Sequence, residues 1–126
     1  MKMNDENEKI RSPREDAIPR RDMIRDLVSA RLRLGKEKYG HGVCTHKDTT
    51  TWGTPKDSWM EMAEEEFADA LVYIAADYIR KYERPSEPDD NERILQLVLN
   101  PHYMLSRDHA RIMQTLTGLV KVARNI

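Results

Sequence analysis

The sequence predicts an all-α protein: a helical bundle with one long central helix, completed by oligomerisation. Glycine and phenylalanine are scarce, at five and one among 126 residues, and good helix formers replace them. Apolar residues recur with a helical rather than an alternating period. The longest predicted helix, about 40 Å, exceeds what a domain of this size needs to cover itself, so we expect it to pack between subunits.

The bulk composition limits the partners and the compartment. The 21 basic and 22 acidic residues leave a net charge of −1, which provides no global field to attract nucleic acid or an anionic membrane. No apolar run is long enough to span a bilayer, and the start of the chain does not look like a signal peptide. Cys44 is the single cysteine, so no intrachain disulfide can form. We therefore expect a cytoplasmic protein that binds neither nucleic acid nor membranes.

The first part of the chain is predicted to be a flexible arm followed by a helix. Residues 1–18 are charged and interrupted by proline, which favours a flexible N-terminal arm. Residues 19–126 are predicted to form a single all-α domain. Its first helix spans about 20–39 and ends at Gly40, with Pro19 as the break before it. The apolar stripe of this helix comprises Met23, Ile24, Leu27, Val28 and Leu34.

A long loop and the central helix follow. Residues 42–55 form a loop that contains Trp52, and loops of this length in small helical domains are often functional. The second helix begins after this loop, with Asp57 or Ser58 as its N-cap. It continues to about Tyr82.

Two shorter helices complete the predicted domain. A linker at 85–88 precedes a short helix that Asp89 or Asp90 can cap and that ends near Leu99. Ser106 caps the last helix. The apolar stripe of that helix comprises Ile112, Met113, Leu116, Leu119, Val120 and Ala123.

An acidic cluster on the second helix is the most informative feature of the sequence. At about 100° per residue, Glu61, Glu65 and Asp69 share one ridge, and Glu66 lies beside it. The same ridge continues into apolar residues, namely Val72, Tyr73 and Ala76. Carboxylates held close together beside an apolar surface repel one another and lose hydration unless they protonate or bind a cation.

A hard divalent cation with oxygen ligands would resolve this conflict. We predict Glu65, Glu66 and Asp69 as metal ligands, with Glu61 as a further candidate. The alternative is ordinary surface charge, because acids in the first half of a helix interact well with its dipole. That alternative explains Glu61 better than Asp69, which is surrounded by apolar residues.

Three short motifs resemble those of a known family. Lys38-Tyr39-Gly40, Trp59 and the segment Glu65-Glu66-Phe67-Ala68-Asp69-Ala70-Leu71-Val72-Tyr73 resemble the MazG-type all-α nucleotide pyrophosphohydrolases, especially small phage-type members. The resemblance covers roughly residues 31–80. It implies an oligomeric helical bundle that uses Mg²⁺, with Mn²⁺ as the alternative, to hydrolyse (deoxy)nucleoside triphosphates to monophosphate and pyrophosphate. Glu65, Glu66 and Asp69 would then be both metal ligands and catalytic residues.

Other side chains are candidates for substrate binding. Lys38 and the adjacent Tyr39 are candidates to bind substrate, with Lys38 in contact with phosphate, although a lysine at a helix C-terminus also complements the dipole. Arg31 lies within an apolar stripe and can pair with a carboxylate of the cluster. Trp52 can stack on a nucleobase or can pin the loop to the bundle. We expect Trp59 to pack in the core.

A second function class also fits the sequence. A second acidic motif on a neighbouring helix, which members of the family carry, is not evident. The protein can therefore be a catalytically silent helical adaptor or regulatory oligomer. Under either hypothesis we expect a homo-oligomer, a dimer or a tetramer.

Overall fold

The computed structural model of the protein describes residues 13–126, with side chains from Arg20 onward. All regular secondary structure in this part of the chain is helical, with no strand, which confirms the all-α prediction. None of its helices is both long and apolar enough to cross a lipid bilayer. The α-helices are α1 (Pro13–Tyr39), α2 (Trp59–Tyr82), α3 (Asn91–Leu99) and α4 (Arg107–Arg124), and 3₁₀ turns occupy Thr49–Trp52 and Pro101–Tyr103.

The chain divides into two compact units, with the boundary between Lys47 and Asp48. The first unit contains α1 and the beginning of the following loop. The second contains the rest of that loop together with α2, α3 and α4.

Helix α1 begins at Pro13, earlier than the start near Arg20 that the sequence predicted. Proline fits the first position of a helix because its φ is already helical and its missing N–H is not needed there. Residues 13–18, which the sequence assigned to the arm, are therefore helical. Pro19 lies inside the helix, where proline has no N–H to donate to the carbonyl four residues before it. The rest of the predicted arm, residues 1–12, lies outside the described residues.

Helix α1 ends at Tyr39, as predicted. Gly40 adopts a φ of 81°, which glycine tolerates without steric cost, and its N–H donates to the carbonyl of Lys36 at 2.9 Å. The large apolar side chains of the helix stripe are each at least 50% exposed. Residues 20–47, the described side chains of this unit, therefore do not cover the stripe.

The segment 48–58, here called the Thr49 turn, is an ordered hydrogen-bonded structure that leads into α2. Thr49 is 1% exposed, and the hydroxyl of the equally buried Thr54 lies 2.7 Å from its own. Asp57 Oδ1 accepts from the Thr49 N–H at 2.6 Å and from its hydroxyl at 3.2 Å. Asp57 reaches Thr49 from a left-handed backbone conformation, with a φ of 53°. The loop before the central helix is therefore closed on itself.

Ser58, rather than Asp57, caps α2. Its hydroxyl accepts hydrogen bonds from the N–H groups of Met60 and Glu61, at 3.0 and 3.3 Å. The Asp57 carboxylate instead accepts hydrogen bonds from Thr49, so Asp57 does not cap the helix and Ser58 does. The helix is 24 residues long, or about 36 Å.

Helices α2 and α4 pack antiparallel and form most of the core of the second unit. Glu64, near the start of α2, pairs with Arg124 at the end of α4, whereas Asp77, near the end of α2, pairs with His109 at the start of α4. Helix α3 and the 3₁₀ turn at Pro101–Tyr103 also pack against the core that lies between these two ion pairs. Its buried residues are Leu71, Ala75, Tyr78, Ile79, Leu97, Met104 and Met113.

Helix α3 is held by side chains of the connection that precedes it. Asp90 occupies the N-cap position without a capping side-chain bond, while Asp89 Oδ1 accepts from the Asn91 N–H at 2.9 Å. Arg93 donates two hydrogen bonds to Glu83, at 2.8 and 2.5 Å. This hydrogen-bonded contact holds the pKa of the Glu83 carboxyl below its usual value and raises that of the Arg93 guanidinium.

Candidate active site

Three neighbouring acids of α2, here called the acid ridge, differ from the other carboxylates of that helix. Glu65, Glu66 and Asp69 are exposed, and none has a hydrogen bond or an ion pair with another residue in the range 20–126. They lie in the middle of a helix, on the side away from the core residues Leu71 and Ala75. Neither helix capping nor cross-helix pairing therefore accounts for their presence.

The remaining acids of α2 are engaged in the fold. Glu61 accepts from the Lys56 N–H at 2.8 Å, which leaves this predicted metal ligand partly committed to the helix start. Glu64 accepts from Arg124 Nε at 2.6 Å, across the interface with α4. Asp77 makes the contact to His109. The acid ridge is thus the set of α2 carboxylates that have no partner among residues 20–126.

The acid ridge continues into apolar side chains, as predicted, but these are not buried. Val72 is 44% exposed and Tyr73 is 68% exposed. Within residues 48–126, the unit that contains the acid ridge, no other residue covers this surface, so these residues alone do not provide the low-dielectric border that the sequence predicted.

The acid ridge offers oxygen ligands but not a finished metal cage. Within residues 20–126, no group of three or more histidine, cysteine, aspartate or glutamate side chains converges well enough to hold an ion. Glu65 and Asp69 are one turn apart, about 5–6 Å between Cβ atoms. Mg²⁺ commonly takes only one or two protein carboxylates and completes its octahedron with water and substrate phosphates. Two carboxylates at this spacing fit that pattern.

The chain's two tryptophans lie in contact at the start of α2. The ring centroids of Trp52 and Trp59 are 5.4 Å apart with planes inclined by 51°, and their exposed fractions are 48% and 39%. The expectation that Trp59 packs in the core is wrong, because its ring turns to Trp52 instead. The Thr49 turn, which contains Trp52, thus holds the two exposed rings together at the start of α2. They lie about two helical turns before the acid ridge.

The predicted basic candidates belong to the first unit. Arg31 and Lys38 lie on α1 and are exposed, as is Tyr39. The Lys38 ammonium sits 5.3 Å from the centre of the Tyr39 ring, a cation–π distance. The acid ridge and Trp52 belong to the second unit, so the predicted residues are divided between the two units.

A further cluster of reactive groups was not predicted. Ser106, His109 and Asp77, here called the Ser106 relay, form a continuous hydrogen-bonded series. The Ser106 hydroxyl lies 2.5 Å from His109 Nδ1, and His109 Nε2 lies 2.7 Å from Asp77 Oδ2. Lys81 approaches the same carboxylate oxygen at 3.1 Å. The sequence placed Ser106 correctly as a helix cap, but it offered no sign that Asp77, 32 residues before His109, would meet it.

The environment of the Ser106 relay is partly enclosed. The side chain of His109 is 15% exposed. The rings of Tyr78 and Tyr82 meet the imidazole edge-on, at 5.7 and 5.9 Å between centroids. The hydrogen bond from His109, followed by that from Lys81, lowers the pKa of Asp77, so its carboxylate is ionised at neutral pH.

Scans against models of known families, characterised proteins and solved structures found no match to this chain. The resemblance to the MazG-type pyrophosphohydrolases therefore rests on the short motifs alone.

Proposed function

We propose that the protein hydrolyses (deoxy)nucleoside triphosphates to monophosphate and pyrophosphate, with Mg²⁺ or Mn²⁺ held by the acid ridge. The observation that carries this proposal is the unpaired, exposed state of Glu65, Glu66 and Asp69 on a helix whose other acids all have partners. Three unneutralised carboxylates within two turns repel one another. A divalent cation relieves that repulsion and supplies the charge that a triphosphate needs for binding.

Each residue has a defined role in this proposal. Glu65 and Asp69 would hold the cation, and Glu66, the third residue of the acid ridge, would accept a proton from water. The cation, when bound, neutralises phosphate charge and lowers the pKa of water. Trp52 offers a flat aromatic face for the base. Lys38 and Arg31, which belong to the other unit, stay sequence-based candidates for contact with phosphate.

A homo-oligomer completes the site in this proposal. Val72 and Tyr73, at the apolar end of the acid ridge, are exposed among the described residues, and so is the stripe of α1. Apolar faces of this kind are covered in stable assemblies. A second copy that covers Val72 also lowers the dielectric constant around Asp69 and can add ligands. A dimer or a tetramer in the cytoplasm fits the composition, with Cys44 as a free thiol.

The test is pyrophosphate release from each ribo- and deoxynucleoside triphosphate, with Mg²⁺ and with Mn²⁺. We expect release from at least one nucleotide, lost in Asp69→Ala and in Asp69→Asn. If each variant loses about 3 kcal/mol of the transition-state stabilisation that the cation supplies, kcat/KM falls about 100-fold. The matched control is Glu92→Gln, since Glu92 is also exposed and unpaired among residues 20–126 but lies on α3.

Two results would contradict the site assignment. The first is full pyrophosphate release by Asp69→Asn. The second is a loss of pyrophosphate release in Glu92→Gln as large as that in Asp69→Asn. Far-ultraviolet circular dichroism of each variant excludes misfolding as the cause of a loss.

A second candidate function is a catalytically silent helical adaptor or regulatory oligomer. It is favoured by the lack of a convergent group of three ligands within residues 20–126. Because a cation that binds the folded state raises its stability, titration with Mg²⁺ or Mn²⁺ separates the two functions. A melting temperature independent of both cations, in an oligomer that releases no pyrophosphate, supports the adaptor.

A further inference from the structure

The hydrogen bonds of the Ser106 relay determine which nitrogen of a neutral His109 carries the proton. The Asp77 carboxylate, ionised at neutral pH, can only accept. A neutral His109 must therefore carry its proton on Nε2 and donate it to Asp77, across the 2.7 Å contact. That leaves a lone pair on Nδ1. The Ser106 hydroxyl, 2.5 Å away, then donates to Nδ1.

This arrangement is that of an activated nucleophile. A serine hydroxyl becomes nucleophilic when a neighbouring base takes its proton and a third group orients that base. His109 is placed to be the base and Asp77 the orienting group, although serine contacts Nδ1 here and the carboxylate contacts Nε2, the reverse of the best-known triads. Such constellations are recognised by geometry and role rather than by sequence order.

The position of Ser106 in the chain adds a second element. Ser106 is the N-cap of α4, an 18-residue helix, and accepts from the His109 N–H at a long 3.3 Å. The first N–H groups of a helix have no intrahelical acceptor. Those of Arg107 and Asp108, which follow the hydroxyl directly, are thus donors for an oxyanion that forms beside it.

We propose that Ser106 is a nucleophile that accepts acyl groups from small activated carboxylic esters, an activity separate from the acid ridge. The Ser106 oxygen bonds to the ester carbonyl carbon while its proton passes to His109 Nδ1. The carbon–oxygen bond to the alcohol then breaks, and the alcohol leaves with the proton from Nδ1. Water hydrolyses the acyl-serine by the same steps, with His109 again taking and returning one proton.

The experiment uses the full chain and two probes. A fluorophosphonate, which replaces its fluoride with the serine oxygen, is followed by peptide mass spectrometry, and p-nitrophenyl acetate is followed by release of nitrophenolate. We expect the fluorophosphonate on Ser106 and not on Ser58. Ser58 is the matched control because it also caps a long helix, α2, and its hydroxyl accepts from two backbone N–H groups without a histidine.

Variants separate the roles of the three residues. Ser106→Ala removes the labelled site and the serine-dependent nitrophenolate release, while Ser58→Ala leaves both unchanged. His109→Gln lowers the labelling rate about 100-fold, the usual contribution of a general base. Asp77, a positioning residue, is tested by Asp77→Asn, which lowers kcat more than it changes KM, and by Asp77→Glu, which restores part of the loss.

Three outcomes overturn the proposal. The first is labelling of Ser106 no faster than of Ser58, including no labelling of either, in a protein that circular dichroism shows to be folded. The second is nitrophenolate release unchanged in Ser106→Ala. The third is labelling of Ser106 that is unaffected in both His109→Gln and Asp77→Asn.

Discussion

Replacing Asp57 by alanine removes one carboxylate oxygen that holds the Thr49 turn together. That oxygen accepts from the backbone N–H and from the hydroxyl of Thr49, a residue that is 1% exposed. The Thr49 hydroxyl keeps its contact to Thr54. The buried N–H of Thr49, in contrast, loses the oxygen 2.6 Å away and gains no substitute from alanine.

The cost has two parts. A buried donor left without an acceptor costs about 1–3 kcal/mol. Alanine also tolerates the left-handed conformation, with a φ of 53°, less well than aspartate does, which adds about 1 kcal/mol. Asp57→Ala should therefore lower the free energy of unfolding by about 2–4 kcal/mol. Asp57→Asn keeps an acceptor oxygen and the local conformation, so it should lose no more than about 1.5 kcal/mol.

Urea denaturation followed by circular dichroism at 222 nm measures both losses. With a slope of about 2 kcal/mol per molar urea, the alanine variant should unfold at about 1–2 M less urea than the wild type, and the asparagine variant should lie between them. Equal midpoints for Asp57→Ala and Asp57→Asn would refute the reasoning, because they would show that the acceptor oxygen does not stabilise the turn.

Two further predictions concern the core and the pH dependence. Met113 is completely buried, so Met113→Ala should lower the free energy of unfolding by about 2–5 kcal/mol in the same urea assay. The control Ile112→Ala, at an exposed position, should lower it by about 0.5 kcal/mol. Equal losses in the two variants would contradict the packing. Arg93 lowers the pKa of Glu83 from 4.5, so the stability from this pair is complete above pH 4.5 and is lost as the pH falls through the folded-state pKa. The midpoint difference between wild type and Glu83→Gln should thus shrink from pH 7 to pH 3, and an unchanged difference would count against an ionised pair.

The helices and most of their ends could be predicted because they depend on local chemistry. Gly40 ends α1, and Ser106 caps α4, since the residue itself supplies the conformation or the acceptor. The start of α1 differs from the prediction because proline interrupts the interior of a helix but favours its first position, which Pro13 occupies. Helix ends that depend on local chemistry can thus be predicted from the sequence, except where one residue type, such as proline, can either begin or interrupt a helix.

Features that join distant residues could not be predicted. The contact between Asp77 and His109 depends on the register with which α4 packs on α2, and no sequence pattern fixes that register. Likewise, the period of the α1 stripe indicates that some partner covers Leu27 and its neighbours, but periodicity does not say which surface does so. For the acid ridge, the sequence located the carboxylates, and only the contacts of Glu61 and Glu64 separated engaged acids from free ones.

The contact between Trp52 and Trp59 makes the intrinsic fluorescence of this protein a local signal. The chain has no other tryptophan, and the two indoles are close enough to exchange excitation energy, so the tryptophan emission, excited selectively over tyrosine, reports the junction between the Thr49 turn and α2. Backbone dichroism, in contrast, averages over all helices. A fluorescence transition that precedes the dichroism transition would therefore reveal an equilibrium species in which this junction has opened while the α2–α4 core persists.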